Sequence, residues 1–163
     1  MRRLLSILLL CAVPATGQVA SRDFVSGDSD YISVADATIL SPTSGLSVAI
    51  WVNVDDYSAS NYSYVGKYGS DGPGGTFFEY ELITTAAGTV LFTIYKSDST
   101  SSNVRATGNT GTLSGEGGNW HFLVGTWDGS DDGTGLYIYT DGVDDTASSA
   151  ENGTFTGMCH SQH

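Results

Sequence analysis

The stretch Leu46-Ser47-Val48-Ala49-Ile50-Trp51-Val52-Asn53-Val54 decides the reading of this chain. Its residues alternate, with Val48, Ile50, Val52 and Val54 on one face of an extended strand and Ala49, Trp51 and Asn53 on the other. Period-two patterning rich in β-branched and aromatic residues is the signature of a β-strand. Both faces are mostly apolar or aromatic, so the strand is expected to be central in its sheet, covered on both sides.

Working outward, the same pattern recurs in short runs divided by Gly, Ser, Asp and Asn. Strands are expected at Tyr31–Val34, Tyr62–Lys67, Phe77–Thr84, Thr89–Lys96, Val104–Thr107, Trp120–Trp127, Leu136–Thr140 and Val143–Ala147. Ala86-Ala87-Gly88 closes one hairpin, and Asp141-Gly142 is a strong two-residue hairpin signal. Gly69 to Gly75 reads as a loop. About nine strands with no crossover helices predict an all-β fold, two antiparallel sheets packed face to face. Trp51, Trp120 and Trp127 lie in the most apolar strands and are expected in the core.

The chain opens with an export signal. Met1-Arg2-Arg3 is basic, Leu4 to Val13 is almost continuously apolar, and Ala15-Thr16-Gly17 supplies small residues for cleavage after Gly17, with a weaker site at Ala20. The apolar run is roughly half the ~20 residues that span a bilayer, so no membrane insertion is expected after cleavage. Leu10 stands where a lipoprotein signal at Cys11 would need a small residue. The expected destination is the extracellular space, or the periplasm in a bacterium.

Removing Arg2 and Arg3 with the leader takes the six Lys and Arg down to four against 18 Asp and Glu, a net charge of −14 for the remainder. Such a surface repels nucleic acid and anionic lipid but tolerates divalent cations. Cys159 is the one cysteine left, so the exported domain has no internal disulfide.

Five ordered segments then resemble the laminin-G-like, concanavalin A-like jelly rolls: Phe24 to Ile32 with its Gly27, Asp30 and Tyr31, then Leu46 to Val52, Val65-Gly66-Lys67, Trp120 to Gly129, and Leu136 to Gly142. The resemblance implies a two-sheet jelly-roll sandwich over residues 18–157, after a leader at 1–17 and before a tail at 158–163. Chains of this kind usually continue into further closing strands, so the domain reads as C-terminally incomplete, with an exposed sheet edge. The fold hosts glycan binders, protein adhesion modules and glucanases alike.

Candidate sites follow. A mixture of aromatic and polar residues suits sugar binding, and Tyr57, Asn61, Tyr64, Tyr68 and Asp71 supply one; packing is the competing role for the strand tyrosines. Asp128-Gly129-Ser130-Asp131-Asp132-Gly133 resembles the first half of a calcium loop, making Asp128, Ser130, Asp131 and Asp132 the metal candidates, although Tyr139 stands where a bidentate Glu would complete it. A plain polar hairpin loop is the alternative. Asp28, Asp30 and Asp36 form a second acidic cluster.

Glu79 and Glu81 are two apart on a strand, which would put them on one face at roughly 7 Å, near a glycosidase separation. Related glucanases carry a third carboxylate in Glu-x-Asp-x-x-Glu, and Phe78-Glu79-Tyr80-Glu81-Leu82-Ile83-Thr84 lacks it. His121 reads as structural, Cys159, His160 and His163 as a poor metal set, and Asn61-Tyr62-Ser63 and Asn152-Gly153-Thr154 as glycosylation sequons. The expected function is a secreted non-catalytic binding module for a glycan or an extracellular protein, with calcium as the cation its loops would take. A structural or adhesive part of a larger surface protein is the alternative, and a glycoside hydrolase is the third.

Overall fold

The computed structural model describes residues 23–24, 30–70, 76–96 and 99–158. The expected leader and residues 159–163 of the expected tail lie outside them. The chain divides into two units, Met1–Ala35 and Asp36–His163. In the first, the described residues form no helix or strand, so the strand expected at Tyr31–Val34 is absent. That four-residue run is too short to specify a ladder without a partner beside it.

The second unit holds a short 3-10 turn, Thr38–Leu40, and nine strands: β1 (Leu46–Asn53), β2 (Tyr62–Ser70), β3 (Thr76–Thr84), β4 (Val90–Lys96), β5 (Ser99–Gly108), β6 (Trp120–Trp127), β7 (Leu136–Thr140), β8 (Val143–Asp144) and β9 (Thr146–Asn152). They form a four-stranded sheet in the order β1-β6-β7-β8 and a five-stranded sheet in the order β2-β3-β4-β5-β9. Every described pairing is antiparallel. Val48, Val52, Leu123, Trp127, Leu136 and Ile138 of the first sheet share one buried core with Leu82, Val90, Phe92, Ile94, Val104 and Ala106 of the second. The molecule is the expected two-sheet sandwich.

Two expectations about β1 fail. Among the described residues it lies at the edge of its sheet, paired with β6 alone. Its inward residues are Val48 and Val52, whereas Trp51 is 61% exposed. Trp120 is also exposed, at 50%, and of the three tryptophans assigned to the core only Trp127 is buried. Strand alternation explains this: Trp127 shares the inward parity of Leu123 and Gly125, while Trp51 and Trp120 have the outward one.

The expected strand Val143–Ala147 is split. Val143 and Asp144 pair with β7, whereas Thr146 onward pairs with β5 in the other sheet. Asp145 marks the crossing and is buried. The Asp141-Gly142 hairpin is as expected, with both residues at positive φ (54° and 81°), the backbone of a type I′ turn.

A bulge on β3 decides where its glutamates go. Lys67 pairs with Tyr80 and Tyr68 with Phe78, leaving Glu79 as the extra residue. Tyr80 and Leu82 face the core, so Glu81 faces out, where it accepts a hydrogen bond from the Tyr95 hydroxyl. The bulge turns Glu79 back inward, fully buried, with Lys67 Nζ at 3.0 and 3.1 Å from its two oxygens. The two carboxylates therefore do not share a face, contrary to the simple alternation. Lys67 also bonds Ser41 and Asp36, the latter at 2.9 Å.

Candidate functional site

Three loops meet at one end of the sandwich: Val54–Asn61 after β1, Thr85–Thr89 between β3 and β4, and Asn109–Asn119 before β6. Backbone bonds stitch them together, Gly118 N–H to Val54 O at 2.9 Å and Leu113 N–H to Gly88 O at 3.0 Å. Glycine allows the approach: a Cβ on Gly88 would strike the Leu113–Ser114 backbone, and one on Gly117 would overlap the Asp55 carbonyl. Side chains complete the frame, with Asn61 Oδ1 accepting from Ala86 N–H (2.9 Å), Tyr62 Oη donating to Asp56 O (2.8 Å), and Asn53 Nδ2 donating to Gly118 O (2.9 Å).

Between the loops lies a cleft of about 330 Å³. The first loop contributes Asp55, Asp56, Tyr57 and Ser58, the hairpin contributes Ala86 to Gly88, and Ser114 stands on the far wall. Hydrogen bonds from the Ser58 hydroxyl and from the Ser58 N–H, the latter 2.7 Å from Asp56 Oδ1, hold the Asp56 carboxyl below the usual range and keep it ionised. Among the described residues, no Lys or Arg lines the cleft.

Tyr57 is 2% exposed, and its hydroxyl finds no hydrogen-bond partner among the described residues. Burial, with Asp141 adding repulsion, pushes its pKa up to about 12, so the hydroxyl is neutral. Edge-on to its ring stands His121, centroids 6.3 Å apart. His121 Nδ1 is 2.9 Å from Asp141 Oδ2, and its buried Nε2 also lacks a partner among the described residues. Partial burial raises the Asp141 carboxyl, but the Phe122 N–H and the His121 ring outweigh it and bring the pKa below its ordinary value. The rings of Tyr57, which lines the cleft, and His121 are thus neighbours, and each carries a buried polar atom without a partner among the described residues.

The sequence candidates separate. Tyr57 lines the cleft, whereas Asn61 does not and braces the hairpin beside it through the Ala86 N–H. Tyr64 is drawn against the core, sharing a 2.6 Å hydrogen bond with Thr84 Oγ1. Tyr68 is 55% exposed on the outer face of the second sheet, its ring 6.0 Å from Phe78. Asp71 lies outside the described residues. Sequence reasoning missed Asp55, Asp56 and Ser58, although Asp56-Tyr57-Ser58 carries the Asp-x-Ser signal of an Asx turn.

The same signal explains the expected calcium loop. Asp128 Oδ1 accepts Ser130 N–H at 2.9 Å, and Asp132 Oδ1 accepts both Thr134 N–H (3.0 Å) and Thr134 Oγ1–H (2.7 Å). Ser130 turns its hydroxyl to Gly135 N–H and its carbonyl to Trp127 Nε1–H. Asp131 is exposed. Among the described residues, no three His, Cys, Asp or Glu side chains are grouped to hold a metal. Of the second acidic cluster, Asp28 lies outside the described residues and Asp36 is bonded to Lys67.

A laminin-G-type family model, described as the concanavalin A-like lectin/glucanases superfamily, matches residues 26–158. The chain belongs to that superfamily. No curated protein and no solved structure matches it. As a concanavalin A-like domain, it shares a fold that serves both binding and hydrolysis, so its chemistry has to be argued from its own residues.

Proposed function

We propose that this domain is a secreted, non-catalytic binding module whose loop cleft takes a sugar. The observation that carries the reading is a cleft walled by the Asp55 and Asp56 carboxylates, the Ser58 and Ser114 hydroxyls and backbone amides, with Tyr57 in its lining and the buried Tyr57 hydroxyl without a partner among the described residues. Leaving such a hydroxyl unpaired costs about 1–3 kcal/mol, a cost that a ligand hydroxyl would relieve. Asp55 and Asp56 accept hydrogen bonds and repel anions, which favours a neutral, hydroxyl-rich ligand. The volume is at the small end for ligand pockets, enough for one or two sugar rings.

Membership of a superfamily that includes lectins supports the reading, and so does the export signal at Met1–Gly17. The non-catalytic half rests on β3. Glu79 is engaged by Lys67 and Glu81 by Tyr95, on opposite sides of the strand, so they cannot flank one glycosidic bond.

A neutral glycan array, probed in calcium and again in a chelator, tests the assignment and decides whether a cation assists. Binding to neutral sugars that weakens about tenfold in Asp55→Asn or Tyr57→Phe supports it. Binding only to proteins, or release of reducing sugar that Glu79→Gln abolishes, would sink it in favour of adhesion or hydrolysis.

A further inference from the structure

The outward face of the four-stranded sheet is aromatic and exposed. Strand register places Trp120 opposite Asn53, Trp51 opposite Phe122, and Tyr139 opposite Val124, with Tyr137 opposite Thr126. Trp51, Trp120 and Tyr137 are 61%, 50% and 42% exposed. The Trp51 and Phe122 rings are 5.1 Å apart and tilted by 33°. Exposed aromatic faces of this extent mark binding surfaces.

We propose that this face carries an extended neutral polysaccharide whose end sits in the cleft, an inference that rests on the sugar-binding reading above. Continuity is the first argument. Gly117 lines the cleft, Gly118 is bonded to Val54 and Asn53, and the next strand begins at Trp120, so the cleft wall stands three residues along the chain from the first ring of the face. From there the rings descend two residues at a time, about 7 Å per step, along β6 and its neighbours. Sugar rings present C–H faces that pack on aromatic rings, while hydroxyls at their rims reach groups such as Asn53 and Thr126.

Size and charge choose the occupant. Ser47 to Asn53 spans about 20 Å and the four strands about 14 Å, a face of roughly 300 Å². A stable protein interface takes about 800 Å² from each partner, so the face is too small for a second copy of the chain and suits a narrow polymer. None of the outward positions on β1, β6 and β7 is Lys or Arg, and the nearby charges, Asp141 and Asp144, are acidic. A sulfated or uronate chain would be repelled.

The experiment is titration with neutral polymers (mixed-linkage β-glucan, xylan, galactomannan) and their mono- to hexasaccharides, followed by calorimetry and by fluorescence of the exposed tryptophans. Affinity should rise with chain length. Trp51→Ala and Trp120→Ala should each weaken polymer binding about tenfold while leaving short sugars and the urea midpoint unchanged. Equal affinity for short and long chains, full polymer binding by both variants, no binding to any polymer of the panel, preference for sulfated chains, or a dimer abolished by Trp51→Ala would each overturn the inference. Polymer binding that depends on Trp51 but ignores Asp55→Asn and Tyr57→Phe would refute the cleft and spare the face; short-sugar binding without a length effect would do the reverse.

Discussion

Replacing Asp145 should cost more stability than any change in the acidic loops, because its carboxylate holds the point where the chain passes between sheets. Asp145 is 6% exposed. Its Oδ1 accepts from Thr112 Oγ1 (2.8 Å), Asn109 Nδ2 (3.0 Å) and Asn109 N (3.3 Å), and its Oδ2 from Thr140 Oγ1 (3.0 Å). Its backbone bonds, N–H to Ile138 O and carbonyl from Asn109, survive in any variant. Gly108 leaves room for the carboxylate, since a Cβ there would come within 2.9 Å of Oδ2. Alanine strands the buried Thr140 hydroxyl and removes the charged acceptor of Thr112 and Asn109, which keep only their bonds to backbone carbonyls. Hydrogen bonds to a charged group contribute about 1.5–3 kcal/mol each and these share partners, so Asp145→Ala should cost roughly 3–4 kcal/mol. Asparagine keeps Oδ1 and should cost only about 1 kcal/mol. In urea, monitored through buried Trp127, the alanine midpoint should fall by roughly 1.5–2 M at unchanged slope, and the thermal midpoint by about 10–15 °C. An alanine variant within about 1 kcal/mol of wild type, or an asparagine variant as damaged as alanine, would refute the reasoning.

Gly125→Ala should destabilise by about 1–3 kcal/mol in the same urea assay, because a Cβ there runs into the buried Phe92 ring. Tyr57→Phe should leave stability unchanged or raise it by up to about 1 kcal/mol while weakening the ligand, since it removes an unpaired buried hydroxyl; calorimetry with a parallel melt checks both signs. Hydrogen bonds hold the pKa values of Asp56, Asp128, Asp132 and Asp144 below their unfolded values, as they do for Asp141 against its partial burial. Their stabilisation is therefore full above the unfolded pKa of about 3.9 and is lost as pH falls through the folded values, so thermal midpoints should be flat from pH 7 to about 5 and then drop. Asp141→Asn should shallow that drop.

The sandwich was legible in the sequence because alternation, turn glycines and the Asp-Gly hairpin are local signals. Trp120–Trp127 and Leu136–Thr140 match the observed strands residue for residue. What alternation could not reveal was which side of β1 is inside, since both of its faces are apolar or aromatic. The exposed positions of Trp51 and Trp120 depend on the pairing with β6 and on the parity of Trp127. Nor could it foresee the bulge at Glu79, because an extra residue leaves no mark in composition while reversing the side on which every earlier residue falls. The cleft was half legible. Tyr57 was visible as a polar aromatic in a loop, but Ser114 and Gly117 join it only through contacts distant in sequence.

The acidity of the chain acquires a local meaning from four Asp-x-Ser/Thr segments. Asp56, Asp128, Asp132 and Asp144 each accept the N–H two residues on, from Ser58, Ser130, Thr134 and Thr146, at 2.7–3.0 Å. A loop closed in this way is held in shape by its own backbone and side chains. Two of these turns flank surfaces argued above to bind ligand: Asp56 at the cleft and Asp144 beside the aromatic sheet. Rigid loops lose little entropy on binding, so the unpaired Tyr57 hydroxyl can be held in place before a ligand arrives. The stability given up at Tyr57 is then offset elsewhere, by Asp145 at the sheet crossing and by the glycine contacts that lock the three loops together.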